Sequence, residues 1–255
     1  MRIVFVLALI SVWFIGCADA RTPDRAAPAE AVSAASADTI LIADGRVYGE
    51  TPDHSAWLTR DPMPAVFAAA RAHWQAQSPE YLEETMVVAV ADGAFTEPGT
   101  TQQAVLYAMS FEPRCCPSMG IAVIQDDQVV RNVVFANPAG ELRAIPDLDG
   151  DGRNELVTTG SFGMGGQNTT SFTLLSFGDA GIVERSGPSI LDESCGAMQE
   201  GGSAARVTAV PGPVFTIERF GMVSCESFEW RPAGSPETIE IPVVDSGTYV
   251  SLTTP

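Results

Sequence analysis

Residues 147–160 read DLDGDGRNELVTTG. Asp147, Asp149, Asp151 and Glu155 put four carboxylates on one short stretch, Gly150 and Gly152 lie among them, and an apolar, β-type run follows. Carboxylates at alternate positions turn inward as a backbone winds around a small sphere. That is how a loop supplies the about six to eight oxygens taken by a hard cation such as calcium. The glycines allow the tight backbone such winding needs. The spacing therefore predicts one Ca2+ held by Asp147, Asp149, Asp151 and Glu155 through their side chains and by Arg153 through its carbonyl. The competing readings are a bare acidic turn, or two of the carboxylates working as acid and base. Two carboxylates ~5 Å apart repel by about 3 kcal/mol at an effective dielectric of ~20, so four in one turn need a cation or must splay. An EF-hand is excluded, because its twelfth position here is Thr158 and the flanks have strand character.

The stretch has a partner in the chain. Residues 92–108, DGAFTEPGTTQQAVLYA, lie under 145–161, IPDLDGDGRNELVTTGS, with Gly99 on Gly152. Ala94, Thr96, Pro98 and Gln102 then occupy the four carboxylate positions, so the first copy should hold no metal. The strands GIAVI (120–124) and FTLLS (172–176) match as well, as do the turns QDDQ (125–128) and GDAG (178–181), at an offset of 52 to 53 residues. This predicts a mainly β fold of antiparallel repeat units of about 52 residues, propeller-blade-like or sandwich, near 92–144 and 145–198, with one N-terminal helix. A third copy near 200–210 is faint.

The loop resembles the FG-GAP, or VCBS, repeat, the calcium loop of integrin-α-type propellers. DLDGDGRNE matches the ligand positions, LVTTG the strand, and Phe162-Gly163 the Phe-Gly pair. The resemblance implies a structural calcium that stiffens a blade.

The rest of the chain reads as strand and turn. β-branched runs at 85–91, 103–110, 120–124, 128–135, 155–160, 170–177, 206–210, 214–220 and 238–244 are separated by Gly, Pro, Asp or Asn. TILIADGRVY (39–48) reads as a hairpin. DPMPAVFAAARAHWQAQ (61–77) reads as the helix, with Asp61 as N-cap, Pro62 in the first turn, and Val66, Phe67, Ala70 and Trp74 on its apolar face.

The first residues read as an export signal, with Arg2 followed by an apolar run over 3–15 that is short for a membrane span. FIGC (14–17) resembles the cleavage box of bacterial lipoproteins. The resemblance implies a signal peptide over 1–16, acylation of Cys17, a flexible Ala/Pro/Ser tether over 17–38 and a single domain over 39–255. Ala18 after the cysteine implies the outer membrane, facing the periplasm or the surface. The alternative is cleavage after ADA (18–20), giving a soluble periplasmic or secreted protein.

Five cysteines are an odd number for an exported chain; setting Cys17 aside leaves Cys115, Cys116, Cys195 and Cys225 as disulfide candidates. A bond between neighbours is strained, so links from Cys115 and Cys116 to Cys195 and Cys225 are preferred. The alternative is one bridge, Cys195–Cys225.

Composition narrows function. All 14 basic residues are Arg, which removes Lys Schiff-base chemistry and a Walker-type phosphate loop. A net charge of −18 repels nucleic acid. No H-E-x-x-H or G-x-S-x-G motif occurs, and His54 and His73 are the only histidines. GSFGMGGQNTT (160–170) reads as a small-residue loop, and Trp57 and Trp230 as packing residues rather than a sugar platform. The expectation is an exported, membrane-tethered, calcium-binding β-repeat lipoprotein that acts as a binding module toward a protein or glycan of the cell envelope. The alternative is a periplasmic hydrolase of glycans or phosphate esters.

Overall fold

The β-branched runs form antiparallel strands joined by short turns. The computed structural model describes residues 39–47, 52–76, 85–110, 117–178, 181–196, 201–244 and 248–253. The leader, the tether, Cys17, Cys115 and Cys116 lie outside the described residues. The strands are β1 Ile40–Asp44, β2 Met86–Gly93, β3 Gln102–Ser110, β4 Ser118–Gln125, β5 Gln128–Phe135, β6 Glu141–Ile145, β7 Glu155–Met164 and β8 Gln167–Gly178. They continue with β9 Gly181–Glu193, β10 Gly202–Val210, β11 Val214–Ser224, β12 Glu229–Pro232, β13 Glu237–Ile239, β14 Val243–Val244 and β15 Val250–Ser251. One α-helix, α1, spans Met63–Gln75.

The strands make two sheets. The smaller has the order β15-β5-β4-β3-β2. The larger runs β12-β11-β10-β9-β8-β7-β6, with β1 on β10, β13 on β11 and β14 on β9, and curls into a half-barrel. Each sheet contains a four-strand meander, β2 to β5 in one and β6 to β9 in the other. The second meander continues by pairing into β10.

Three apolar layers result. Met63, Val66, Ala70 and Trp74 of α1 pack on Val105, Tyr107 and Val134 at the outer face of the smaller sheet. Leu106, Ile121 and Phe135 from its other face meet Leu156, Leu175 and Phe177 of the larger sheet. Ile42, Val157, Phe172, Leu174, Val207 and Phe215 fill the inside of the curl. Neighbours such as Leu156 and Val157 thus enter different cores, because successive strand side chains point to opposite faces. β4, covered on both sides, carries six consecutive buried residues, and this explains its unbroken apolar run. The β4–β5 turn puts Asp126 and Asp127 at φ 51 and 57, a left-handed pair suited to a two-residue hairpin.

Three expectations are corrected. The expected hairpin over 39–48 is not seen in its described part, 39–47, where β1 is a single strand whose partner is β10, far along the chain. Asp61 does not cap the helix. Pro62 holds the N-cap position without a side-chain bond, and its carbonyl accepts from Ala65 and Val66 instead. The third correction concerns the cysteines. Cys195 is bonded to Cys225, with Cα atoms 5.4 Å apart, so neither is linked to the 115–116 pair. The reason is topological. β9 and β11 are both antiparallel to β10 and lie on either side of it, so Asp192 and Gly221 share the partner Ser203. Their C-terminal turns, which carry the two cysteines, emerge together. Met222 Sδ sits 3.2 and 3.4 Å from the two sulfurs and completes a sulfur cluster.

Candidate metal centre

The acidic turn joins β6 to β7 and is held from within by its own side chains. Asp147 accepts from the backbone N–H of Gly150 (2.7 Å) and of Gly152 (2.8 Å), one on each oxygen. Asp149 accepts from Asp151 N–H (3.2 Å). Asp151 accepts from Arg153 N–H (2.8 Å) and from its guanidinium Nε (2.7 Å). Gly150 and Gly152 both sit at φ 84, a conformation that a Cβ makes costly.

Leu148, between the first two aspartates, is 1 % exposed and anchors the turn in the curled core. Its carbonyl accepts from Gly212 N–H (2.9 Å), which pins the loop to the β10–β11 turn. Its N–H donates to Glu155 Oε2 (3.0 Å). Glu155 is 2 % exposed. Burial, and secondarily the charges of Asp149 and Asp147, push its carboxyl up to about 7 against the opposing Leu148 N–H bond.

One ligand oxygen each from Asp147, Asp149 and Asp151 lies within 4.8 Å of the other two. Asp147 is half-buried and the other two are exposed. The donor set is all oxygen with no His or Cys, which fits a hard cation better than zinc, whose sites are built mainly on His and Cys. Each carboxylate offers about four lone-pair directions, so the backbone bonds leave acceptor capacity on every member. The guanidinium of Arg153 is occupied on Asp151, which leaves only the carbonyl of that residue as a ligand candidate.

The turn also docks on the degenerate copy. Asn154 N–H donates to the Ala94 carbonyl (2.7 Å), and Ala94 N–H donates to Asn154 Oδ1 (2.8 Å). Asn154 Nδ2 reaches back to the Ile145 carbonyl (2.9 Å). A Cβ on Gly152 would meet Pro98 at 3.1 Å, so the second loop lies against the first at Pro98. Sequence reasoning aligned these copies without seeing that they pack together; Asn154, flanked by charged residues, gave no sign of its linking role.

The other candidates fall elsewhere. His73 stacks edge-on against Trp74 (5.0 Å). The Trp57 ring carries Arg60 at 4.2 Å, and Trp230 packs on Leu191, Ala204 and Phe220. GSFGMGGQNTT is the β7–β8 hairpin tip, with Phe162 exposed. Neither a family model, a curated protein nor a solved structure matches the chain.

Proposed function

We propose that residues 147–155 form a calcium-binding turn in an exported lipoprotein, tethered through Cys17, whose β domain acts as a binding module. The observation that carries the reading is the convergence of three aspartate oxygens within 4.8 Å of one another. Asp147, Asp149, Asp151 and Glu155 would hold the ion with the Arg153 carbonyl. Bound calcium supplies positive charge that offsets mutual repulsion among these carboxylates. Magnesium fits poorly, since it demands a stricter octahedron and releases water reluctantly. The turn ties β6–β7 to the β2–β3 loop through Asn154 and to the β10–β11 turn through Leu148, so ordering it braces three hairpins at once. Its part is structural, and recognition falls to other surfaces.

Calorimetric titration and thermal melting test this together. Extracellular calcium modules bind at ~10⁻⁴ to 10⁻³ M, and a free concentration tenfold above the dissociation constant stabilises by about 1.4 kcal/mol. Chelation should lower the melting temperature by several degrees without unfolding the protein at room temperature. Asp149→Ala should remove that response and Thr96→Ser should keep it. No heat of binding up to several millimolar calcium, with melting unchanged by chelator, leaves only an acidic turn. For the tether, Cys17→Ser should move the protein from the membrane fraction to the soluble one; a wild-type protein already soluble would refute the anchor.

A further inference from the structure

The half-barrel is open along one seam. β6 pairs only with β7, and β1 only with β10, so each has one edge without a strand partner among the described residues. A side chain crosses the seam. Arg143 of β6 donates through Nη2 to the carbonyls of Leu41 (3.0 Å) and Ile42 (2.6 Å), where the register of β1 shifts.

A cleft of about 510 Å³ opens beside this crossing. That lies within the ~300–1,000 Å³ of ordinary ligand pockets. Its accessible apolar surface comes from Leu41, Val47, Ala89 and Val90 over a buried floor that includes Ile42 and Val157, and among the described residues no Phe, Tyr or Trp lines it. An alkyl chain finds matching apolar surface there. Polar groups besides Arg143 line the cleft as well. Asp44 is already engaged by Arg46 at 2.8 Å, and the hydroxyls of Ser161 and Thr170 bond each other at 2.8 Å. Glu141 and His54 also line the space. The remaining N–H donors of the Arg143 guanidinium, on Nε and Nη1, have no protein partner among the described residues. Two anchor bonds thus hold the fork in place while its other side is open to an anion, the arrangement that suits carboxylate recognition. A single guanidinium with Glu141 two residues away balances one negative charge better than the two of a phosphate monoester.

We propose that the cleft binds an aliphatic monocarboxylate, with the carboxylate on Arg143 and the chain along Leu41, Val47 and Val90. The inference rests on the binding-module reading and supplies its ligand class. It does not rest on the calcium turn, none of whose carboxylates lines the cleft.

The test is calorimetric titration of the full chain with sodium decanoate below its micellar range, in calcium and in chelator. One decanoate should bind per chain. Octanoate should bind roughly tenfold more weakly, since each methylene is worth about 0.8 kcal/mol, or nearly fourfold. 1-Decanol should bind at least tenfold more weakly than decanoate, and Arg143→Met should bring the two level. Because Arg143 also joins β6 to β1, melting must show that this variant folds. If it does not, Thr159→Trp, which fills the cleft and keeps the arginine, carries the test by weakening both ligands at least tenfold. Absent saturation by decanoate, equal affinity for decanol in the wild type, or unchanged binding in Thr159→Trp overturns the proposal. Loss of decanoate binding with an intact calcium response defeats the ligand alone; decanoate binding without any calcium response defeats the calcium turn alone.

Discussion

In the loop that leads into β3, the amide oxygen of Gln102 folds back to accept from the N–H groups of Phe95 (2.8 Å) and Thr96 (2.9 Å). In the loop that leads into β7, Glu155 does the same for Leu148 (3.0 Å), which occupies the place of Phe95. Gly99 and Gly152 hold corresponding left-handed positions, at φ 71 and 84. Phe95 and Leu148 are both buried. The two backbones therefore need the same things: an acceptor at the first strand residue, a glycine three residues earlier and an apolar anchor. None of these needs a charge. Gln102 also donates, to Thr96 Oγ1 (2.6 Å) and Gln125 Oε1 (2.8 Å), so its buried amide is satisfied on both sides. Glu155 is acceptor-only when ionised and faces two further carboxylates. The aspartates of the second loop add backbone bonds of their own, Asp147 accepting from Gly150 and Gly152, Asp149 from Asp151 and Asp151 from Arg153, and their charge is what distinguishes this turn from the first.

Four substitutions can break or sharpen this comparison. The largest effect is expected from Gln102→Glu, which carries the acid into the loop that lacks the other three. A carboxylate there would confront two acceptors in a site 1 % exposed. Urea unfolding should show a loss of about 3 kcal/mol that calcium does not restore. A stability near wild type would mean the two loops tolerate charge equally. Asn154→Ala removes the side-chain half of the link between the loops, keeping the backbone bond to the Ala94 carbonyl, and leaves Ala94 N–H without its acceptor. It should cost about 2 kcal/mol and weaken calcium binding as well; an unchanged calcium affinity would separate the docking from the ion site.

Glu155→Gln makes the second loop resemble the first. With chelator present, it should raise stability by about 1 kcal/mol, by removing a buried charge that two neighbouring acids oppose. The increment from added calcium should disappear. If calcium still stabilised this variant fully, Glu155 would not be a ligand. Arg153→Ala has the smallest expected effect. It removes an ion pair to Asp151, worth about 0.5 kcal/mol or less. Freeing Asp151 should tighten calcium binding about twofold, whereas much weaker binding would assign the guanidinium a supporting role.

Much of the strand pattern was legible because a half-buried strand announces itself every second residue. β5 matches its expected bounds, and the acidic turn falls between strands as anticipated. β9 was missed for a local reason. Its sequence GIVERSGPSILDE carries charge, Gly187 and Pro188, and opposite it the register shifts twice. Gly187 is needed because the Phe172 ring lies against it, where a Cβ would come within 2.1 Å. That ring belongs to another strand, so nothing near Gly187 in the chain reveals the constraint. β6 and β12 are short, at 5 and 4 residues, and neither carries a full alternation to be recognised.

By itself the sequence determined the class of fold, the position of the acidic turn and the correspondence between the two loops. These depend on residue spacing over a few positions, which periodicity and turn chemistry express directly. Only the tertiary structure decided that β1 pairs with β10, that Cys195 meets Cys225, that Asn154 joins the two loops, and that Arg143 spans an open seam beside a cleft. Each of these is a meeting of residues about 30 to 170 positions apart or on different strands. Such meetings follow from strand order and sheet curvature, set by how several apolar faces are buried at once, and no local stretch of sequence encodes them.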